Sequence, residues 1–214
     1  VDYCESNPQL ASSLHVDSTK QILEYCSKYN SKFCYISTDA VFDGKLNRKY
    51  TETDIPNPLS HYGKTKLEAE KVVLKNHNNV VLRTKVIYGK HDRSRFTNWV
   101  LENLQNKQIV PAFTDQNNTP TLVNDFSIAL LRIIESDLSG LFHATGGTCL
   151  NRYEFATKLA IAFGLDKKLI KPVTANEQKQ GAPRPVNGCL DNQKLEKEIG
   201  FKFKDIDEGI EYLK

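Results

Sequence analysis

The sequence predicts an α/β protein in which a parallel sheet carries helices on both faces. Short apolar segments typical of buried strands alternate along the chain with amphipathic segments of helical length. Polar side chains follow these apolar segments, at the edge where parallel sheets bind ligands. The chain begins at Val1, contains no methionine and has no glycine-rich turn from strand to helix. We therefore expect a piece of a longer protein that lacks the front of a dinucleotide-binding domain.

The first helix is predicted over residues 9 to 28. Leu10, Leu14, Ile22, Leu23 and Cys26 recur there at three-, four- and eight-residue spacings, which suits a helix packed on a core through these side chains.

The first strand is predicted at Phe33 to Ile36. This run is too short for a helix and contains aromatic and β-branched residues. It opens into Ser37, Thr38 and Asp39, so we place these polar residues at the carboxyl end of a buried parallel strand.

A surface loop rich in Asp, Asn, Pro and Gly follows over residues 43 to 60. Ser60 then caps a helix from about Tyr62 to Lys75, with Leu67, Val73 and Leu74 predicted inward. The second strand is predicted at residues 80 to 84, and residues 86 to 89 form its exit.

The remaining elements continue the alternation of helices and extended segments. We predict a helix over residues 96 to 106, an extended segment over 109 to 121, a helix from Asp125, a strand over 140 to 147, a helix over 152 to 164, a loop over 181 to 188 and a small terminal helical region.

Composition narrows the classes of partner. The 29 basic and 26 acidic residues nearly balance, at a net charge of +3, which argues against a nucleic-acid or membrane surface. No apolar run is long enough for a membrane span and no leader is visible, so a cytoplasmic protein is expected. The five scattered cysteines are interpreted as buried free thiols, and no metal site is predicted.

Tyr62 and Lys66 form the clearest chemical motif. Their four-residue spacing at the start of a helix puts a phenol and an ammonium on one face. A lysine cation nearby favours the phenolate, so Tyr62 could exchange a proton with a substrate oxygen, and Thr38 or Ser37 could hydrogen-bond the same oxygen. Because the chain has nine tyrosines, the spacing alone also arises by chance.

Several motifs in order resemble the dTDP-4-dehydrorhamnose reductase family of extended short-chain dehydrogenases/reductases. They are Ser37-Thr38-Asp39, Val41-Phe42-Asp43-Gly44, Tyr62-Gly63-Lys64-Thr65-Lys66, Leu82-Arg83-Thr84, Asp115-Gln116, Pro120-Thr121 and Arg184-Pro185. The chain is also similar to the β regulatory subunit of methionine adenosyltransferase, through Gly181-Ala182, Arg184-Pro185 and Leu190-Asp191.

The resemblance implies roles for individual residues. Thr38, Tyr62 and Lys66 would be catalytic, and Ser37, Tyr62, Lys66, Thr84 and Val86 would hold NADPH or NADH. Asp39, Gln116, Thr121 and Arg184 would lie near a nucleotide-linked sugar. The Arg184 guanidinium could meet a pyrophosphate in bidentate fashion, or it could be a surface arginine in a stiff loop.

Three positions depart from the family pattern. Ala40 lacks the acid that related dehydratases carry and the tyrosine usual in the reductases, which disfavours dehydration and leaves a gap beside the pocket. His15 stands where an asparagine is common, which predicts an altered proton relay. Arg95 replaces an expected asparagine, and it could face solvent or a substrate phosphate.

The resemblance also implies a domain organisation. Residues 1–89 would complete a Rossmann-like dinucleotide-binding domain. Residues 90–214 would be mainly a small substrate-binding region, with a strand at about 140–146 returning to the sheet.

The expected function is reduction of a nucleotide-linked 4-keto-6-deoxy sugar. The alternatives are another sugar-nucleotide reductase or epimerase, and a non-catalytic regulatory subunit that binds a dinucleotide. We also expect a possible homodimer, no nucleic-acid or membrane partner, and little activity from these 214 residues alone.

Overall fold

The computed structural model describes residues 1–178 and 180–214, and most of its first 28 residues are helical. They form α1 (Asp2–Ser6), α2 (Pro8–Ser12), a π-helical turn (Ser13–Asp17) and α3 (Ser18–Lys28). The predicted helix is present and Leu23 packs against the core, but three of the five side chains predicted inward are exposed. Leu10, Leu14 and Ile22 are exposed by 42%, 60% and 46%, whereas Ala11, Val16 and Thr19 are buried.

The π-helical turn explains this error. Its wider hydrogen bonding places one additional residue in the turn, so the helical period shifts between α2 and α3. Ala11, which is buried before the turn, and Val16, which is buried within it, are consequently five positions apart. A constant period of 3.6 residues therefore selects the wrong side chains.

The remaining elements follow the predicted order closely. They are β1 (Cys34–Thr38), α4 (His61–Val73), β2 (Val80–Thr84), β3 (Ile87–Tyr88), α5 (Arg95–Gln105), β4 (Val110–Phe113), β5 (Asn117–Asn118), β6 (Thr121–Leu122), α6 (Val123–Glu135), β7 (Gly140–His143), β8 (Leu150–Asn151), α7 (Arg152–Ala162), β9 (Ile170–Val173), β10 (Asn187–Gly188), α8 (Gln193–Ile199) and α9 (Ile206–Glu211).

The central sheet is parallel and has the order β1-β2-β7. Ile36 pairs with Leu82, and Leu82 pairs with Phe142 in the next strand. β2 is buried along its whole length because helices cover both of its faces. The predicted α/β class is confirmed, and β7 lies in the same sheet as β1 and β2.

Short strands form the remaining layer. β3 pairs with β6, β4 pairs with β9, and β5 lies between β10 and β8. The largest apolar cluster packs under these strands and includes Tyr88, Leu122, Phe155, Leu159 and Ile206. This layer stands beside the carboxyl ends of β1 and β2, so it supplies the second wall of the cavity described below.

The prediction of buried free thiols is wrong for two of the five cysteines. Cys149 and Cys189 form a disulfide with their Cα atoms 5.6 Å apart. The thiols of Cys4, Cys26 and Cys34 are free but only partly buried. The paired cysteines are 40 residues apart in sequence, so no local spacing reveals that they meet.

Among the helices described, none is long and apolar enough to cross a bilayer. Within the same residues, no cluster of three or more His, Cys, Asp or Glu side chains is arranged to hold a metal ion.

Candidate active site

A cavity of about 390 Å³ opens at the carboxyl ends of β1 and β2. Its inner wall consists of the residues at and beyond these strand ends, and Tyr62 closes one side. Its outer wall comes from the segments around Gln116 and Arg184. Ser37, Thr38, Tyr62, Thr84, Val86, Gln116 and Arg184, all predicted as site residues, line this one cavity.

Ser37 and Thr38 occupy the last positions of β1. The Thr38 hydroxyl donates to Asp39 Oδ1 over 3.0 Å and accepts from the backbone N–H of Ala40 over 3.2 Å. The Ser37 side chain is buried, and its Oγ has no hydrogen-bond partner among the residues described. Since a buried hydroxyl ordinarily has a partner, Ser37 is a free hydrogen-bonding group for a ligand.

Tyr62 stands in the first turn of α4. Ser60 caps this helix by accepting the backbone N–H of Gly63 over 3.2 Å, which fixes where α4 begins. Gly63 has no side chain where a Cβ would overlap the Ala40 carbonyl oxygen, so α4 can approach the end of β1. Burial raises the pKa of Tyr62, a hydrogen bond with Thr38 partly offsets this effect, and the charge of Asp39 raises the pKa further.

Lys66 is buried behind the cavity rather than in its wall. Its ammonium donates to the Ile36 carbonyl oxygen over 2.6 Å and lies 3.9 Å from the centre of the Tyr35 ring. Burial lowers its pKa to about 8, against the opposing charge of Glu70. The expectation that Lys66 favours the Tyr62 phenolate is not met in this arrangement, because the pKa of Tyr62 is raised and Lys66 is directed at the strand backbone.

Two residues predicted to lie near the substrate, Asp39 and Thr121, do not line the cavity. Asp39 is completely buried, with its carboxylate held by the Thr38 hydroxyl and the Lys85 ammonium. Thr121 is also completely buried, and its hydroxyl donates to the Lys85 carbonyl oxygen over 3.0 Å. Each side chain supports the cavity wall from behind in this structure, and its role toward the substrate stays a prediction.

The outer wall carries the other two predicted substrate residues. Gln116 Nε2 donates to Gln180 Oε1 over 2.9 Å. The Arg184 guanidinium pairs with both carboxylate oxygens of Asp2, at 3.0 and 2.9 Å. Both side chains line the cavity while being held by residues distant in sequence.

His15, which departs from the family pattern, lies behind Tyr62 in the π-helical turn. Its Nδ1 is 2.8 Å from Thr65 Oγ1, and its ring stands edge-on to the Tyr62 ring with centroids 5.5 Å apart. Burial and the charge of Lys66 lower the pKa of His15. The neutral imidazole therefore packs beside Tyr62.

Two cations in the cavity wall were not among the predicted site residues. Lys85 follows β2, and Arg152 is the first residue of α7. Burial, together with the charge of Arg184, lowers the pKa of Arg152. The sequence signal for Lys85 is its position directly after a buried strand. Arg152 gives no such signal, because only the fold brings α7 to this edge.

A second ionic network supports the sheet from behind. The Arg83 guanidinium binds Glu70 through two hydrogen bonds of 2.9 and 2.7 Å, and both side chains are at most 2% exposed. The guanidinium carbon of Arg83 lies 5.0 Å from the centre of the Phe42 ring. Burial, together with the positive charge of Arg83, lowers the pKa of His143 to about 3.

Two solved structures of dTDP-4-dehydrorhamnose reductases are similar to this chain. A dTDP-4-dehydrorhamnose reductase from Clostridium acetobutylicum superposes with a TM-score of 0.93 and is 32% identical, over all of this chain and 76% of that one. The enzyme of that name from Bacillus anthracis, solved in complex with NADP, superposes with a TM-score of 0.93 at 26% identity, over all of this chain and 75% of that one.

A relative of another kind is similar as well. Methionine adenosyltransferase 2 subunit beta from Bos taurus is 38% identical over 207 residues, which are 91% of this chain and 60% of that protein. The family model described as "RmlD substrate binding domain" matches residues 1–213. Since that match spans nearly the whole chain and agrees with the cavity at the sheet edge, this chain belongs to the RmlD substrate-binding domain family.

Proposed function

We propose that this protein reduces the keto group of a nucleotide-linked 4-keto-6-deoxy sugar, with NADPH or NADH as reductant. The observation that carries the proposal is the meeting of Thr38 and Tyr62 at one cavity, at the carboxyl edge of a parallel sheet. A phenol and a hydroxyl at that edge can both reach the oxygen of a bound carbonyl group.

The residues of the inner wall fit a nicotinamide cofactor. The unpartnered Ser37 hydroxyl is free to bind a polar group of such a ligand, and Thr84 and Val86 line the same wall. A bound nicotinamide would supply the hydride. The NADP complex of the Bacillus anthracis reductase supports this assignment.

Tyr62 is suited to give a proton to the developing alkoxide. Its raised pKa keeps the phenol protonated at neutral pH, which is the form that a reduction needs. Thr38 lines the cavity beside Tyr62, so its hydroxyl can bind the same substrate oxygen. Lys66 ties α4 to β1 through the Ile36 carbonyl and thereby fixes where Tyr62 stands.

The outer wall is suited to the charged part of the substrate. Arg152 and Arg184 lie in the same cavity, and planar guanidinium groups bind phosphate oxygens in pairs. Arg184 is held by Asp2 in the structure, so a diphosphate would compete with that carboxylate for it. In the proposed binding orientation the sugar lies near Tyr62 and the diphosphate lies near Arg152 and Arg184.

The test uses the natural full-length protein, reduced nicotinamide cofactor and dTDP-4-dehydrorhamnose, with Tyr62→Phe as the variant. Removing the phenolic proton should lower kcat by about 100-fold or more while cofactor binding is retained. Tyr35→Phe is the matched control, since it removes a buried hydroxyl that does not line the cavity. Equal turnover by the wild type and Tyr62→Phe would rule out the proposed role of Tyr62.

A second candidate is a non-catalytic subunit that binds a dinucleotide and regulates another enzyme. It is favoured by the 38% identity to methionine adenosyltransferase 2 subunit beta and by the engagement of Lys66 with the strand backbone. This function requires cofactor binding without turnover, and association with a methionine adenosyltransferase. Turnover that depends on Tyr62 would argue against it.

A further inference from the structure

We propose that Lys85 is a positioning residue that acts through Asp39 to fix the hydroxyl of Thr38. The inference rests on the proposed reductase function, because it assigns Lys85 a part in orienting the Thr38 hydroxyl that would bind the substrate oxygen. It concerns a side chain for which neither the motifs nor the resemblance predicts a role.

The central observation is an ion pair at the floor of the cavity. Lys85 Nζ lies 2.6 Å from Asp39 Oδ2, and the Asp39 side chain is completely buried while that of Lys85 is 24% exposed. A buried carboxylate without a cation is costly, so the Lys85 ammonium stabilises the Asp39 carboxylate in this position. The ammonium reaches it from the side that faces the cavity.

The protons around Thr38 can be assigned from this pair. A threonine hydroxyl has one proton and two lone pairs. An ionised Asp39 only accepts, so the Thr38 proton points at Asp39 Oδ1, 3.0 Å away. One lone pair accepts the N–H of Ala40. The other lone pair remains for a partner in the cavity, so the Thr38 hydroxyl has a defined orientation at the cavity wall.

The backbone after β2 is shaped to deliver Lys85 to this position. Val86 has φ of +40°, a left-handed conformation that is strained for a β-branched residue. Thr121 stabilises this turn through two hydrogen bonds. Its backbone N–H donates to the Val86 carbonyl oxygen over 3.1 Å, and its hydroxyl donates to the Lys85 carbonyl oxygen over 3.0 Å. Such strain persists only where the surroundings enforce it, and here it coincides with the cavity wall.

A backbone contact confines the same carboxylate oxygen of Asp39. Gly188 packs against Asp39 Oδ2 so closely that a Cβ at this position would overlap the oxygen. The carboxylate is consequently confined between the Gly188 backbone, the Thr38 hydroxyl and the Lys85 ammonium. Loss of the ammonium would remove one of these three constraints, so the carboxylate could turn and no longer hold the Thr38 proton in one direction.

The experiment is a double-mutant cycle in the natural full-length protein, assayed with NADPH and dTDP-4-dehydrorhamnose. Lys85→Met should lower kcat about tenfold, with the Kd of NADPH changed less than twofold. In an Asp39→Asn background, Lys85→Met should cause no further loss. Lys85→Arg should recover most of kcat, and Lys90→Met, the same change at an exposed lysine of the same segment, should leave kcat unaltered.

Two results would overturn the proposal. Losses that multiply in the double variant would mean that Lys85 acts independently of Asp39. A rise in KM for the sugar nucleotide with kcat unchanged would mean that Lys85 binds the substrate directly and positions nothing.

Failure of the wild type to turn over this substrate would count against the proposed function alone. In that case a second measurement, of stability, tests the link between Lys85 and Thr38. Lys85→Met and Thr38→Val should then lower the urea midpoint of unfolding non-additively, because Asp39 links the two side chains. Additive shifts in that midpoint would refute the link between Lys85 and Thr38.

Discussion

Two ion pairs lie within a few residues of each other along β2 and its exit, and they differ in how water reaches them. Arg83 and Glu70 are 2% and 1% exposed and are joined by two hydrogen bonds between β2 and α4. Lys85 and Asp39 are 24% and 0% exposed and stand at the cavity. The first pair is closed on all sides, whereas the second pair presents its cation to any ligand in the cavity.

The comparison teaches that burial of an ion pair does not define its role. A pair whose partners are both sealed from water can only hold structural elements together, since no ligand can reach it. A pair with one accessible partner can transmit the state of the cavity to buried groups. We therefore expect changes in the first pair to act on stability and changes in the second to act mainly on activity.

The largest effect is expected from Arg83→Met. It leaves the Glu70 carboxylate buried without a cation, which should lower the free energy of unfolding by about 3–5 kcal/mol. Urea unfolding followed by circular dichroism measures the change. The double variant Arg83→Met with Glu70→Leu should recover part of the loss, because no lone charge remains. A loss below about 1 kcal/mol for the single variant would contradict the view that this pair is sealed from water.

Opening the disulfide should have the next largest effect. Cys189 adjoins Gly188, which packs on Asp39, so the bond to Cys149 secures the neighbourhood of the cavity pair. Under oxidising conditions Cys149→Ser should cost about 2–4 kcal/mol in the free energy of unfolding. Adding a reductant should remove the difference from the wild type. Cys26→Ser is the control, and a difference that persists in reductant would argue that the bond is not its cause.

A smaller loss is expected from Lys85→Met. Asp39 keeps its hydrogen bond from Thr38 and lies beside an open cavity, so we expect a decrease of about 1–3 kcal/mol in the free energy of unfolding. The measurement is the same urea titration as for Arg83→Met. If Lys85→Met proved as destabilising as Arg83→Met, the contrast between the two pairs would be lost.

The smallest effect concerns pH. His143 has a folded-state pKa of about 3, below the 6.5 of the unfolded chain. The unfolded state therefore binds more protons between these values, and stability is lost as pH falls below 6.5. Lowering the pH from 6.5 to 5.5 should cost about 1 kcal/mol through this residue. Urea titrations at both pH values measure it, and His143→Gln should show a correspondingly smaller pH dependence.

The order of elements could be predicted because it depends on local composition. The runs at Cys34–Thr38 and Val80–Thr84 are too short and too rich in β-branched or aromatic residues to be helices, and both are strands. The motif at Tyr62 lies at a helix start because Ser60 can cap it, and the structure contains that cap. The predicted homodimer, the domain boundaries and the roles of the site residues stay predictions.

The sequence was less informative where a long-range contact or an irregular turn overrides a local pattern. The inward face of the first helix could not be read, because the π-helical turn changes its period without a signature in composition. Cys149 and Cys189 meet only because β8 and β10 both pair with β5. Asp39 follows a strand as a ligand-binding residue would, but it pairs with Lys85, the residue directly after the neighbouring strand β2.

The sequence by itself therefore determined the fold class, the succession of strands and helices, and the residues at the strand ends, since each depends on neighbours along the chain. Tertiary structure alone decided which of those residues face the cavity and which support it from behind. Thr38 and Asp39 are adjacent in sequence, yet only Thr38 lines the cavity. The physical reason is that a buried charge is stable only beside its counterion, and the position of Lys85 depends on a backbone turn held by Thr121 from another strand.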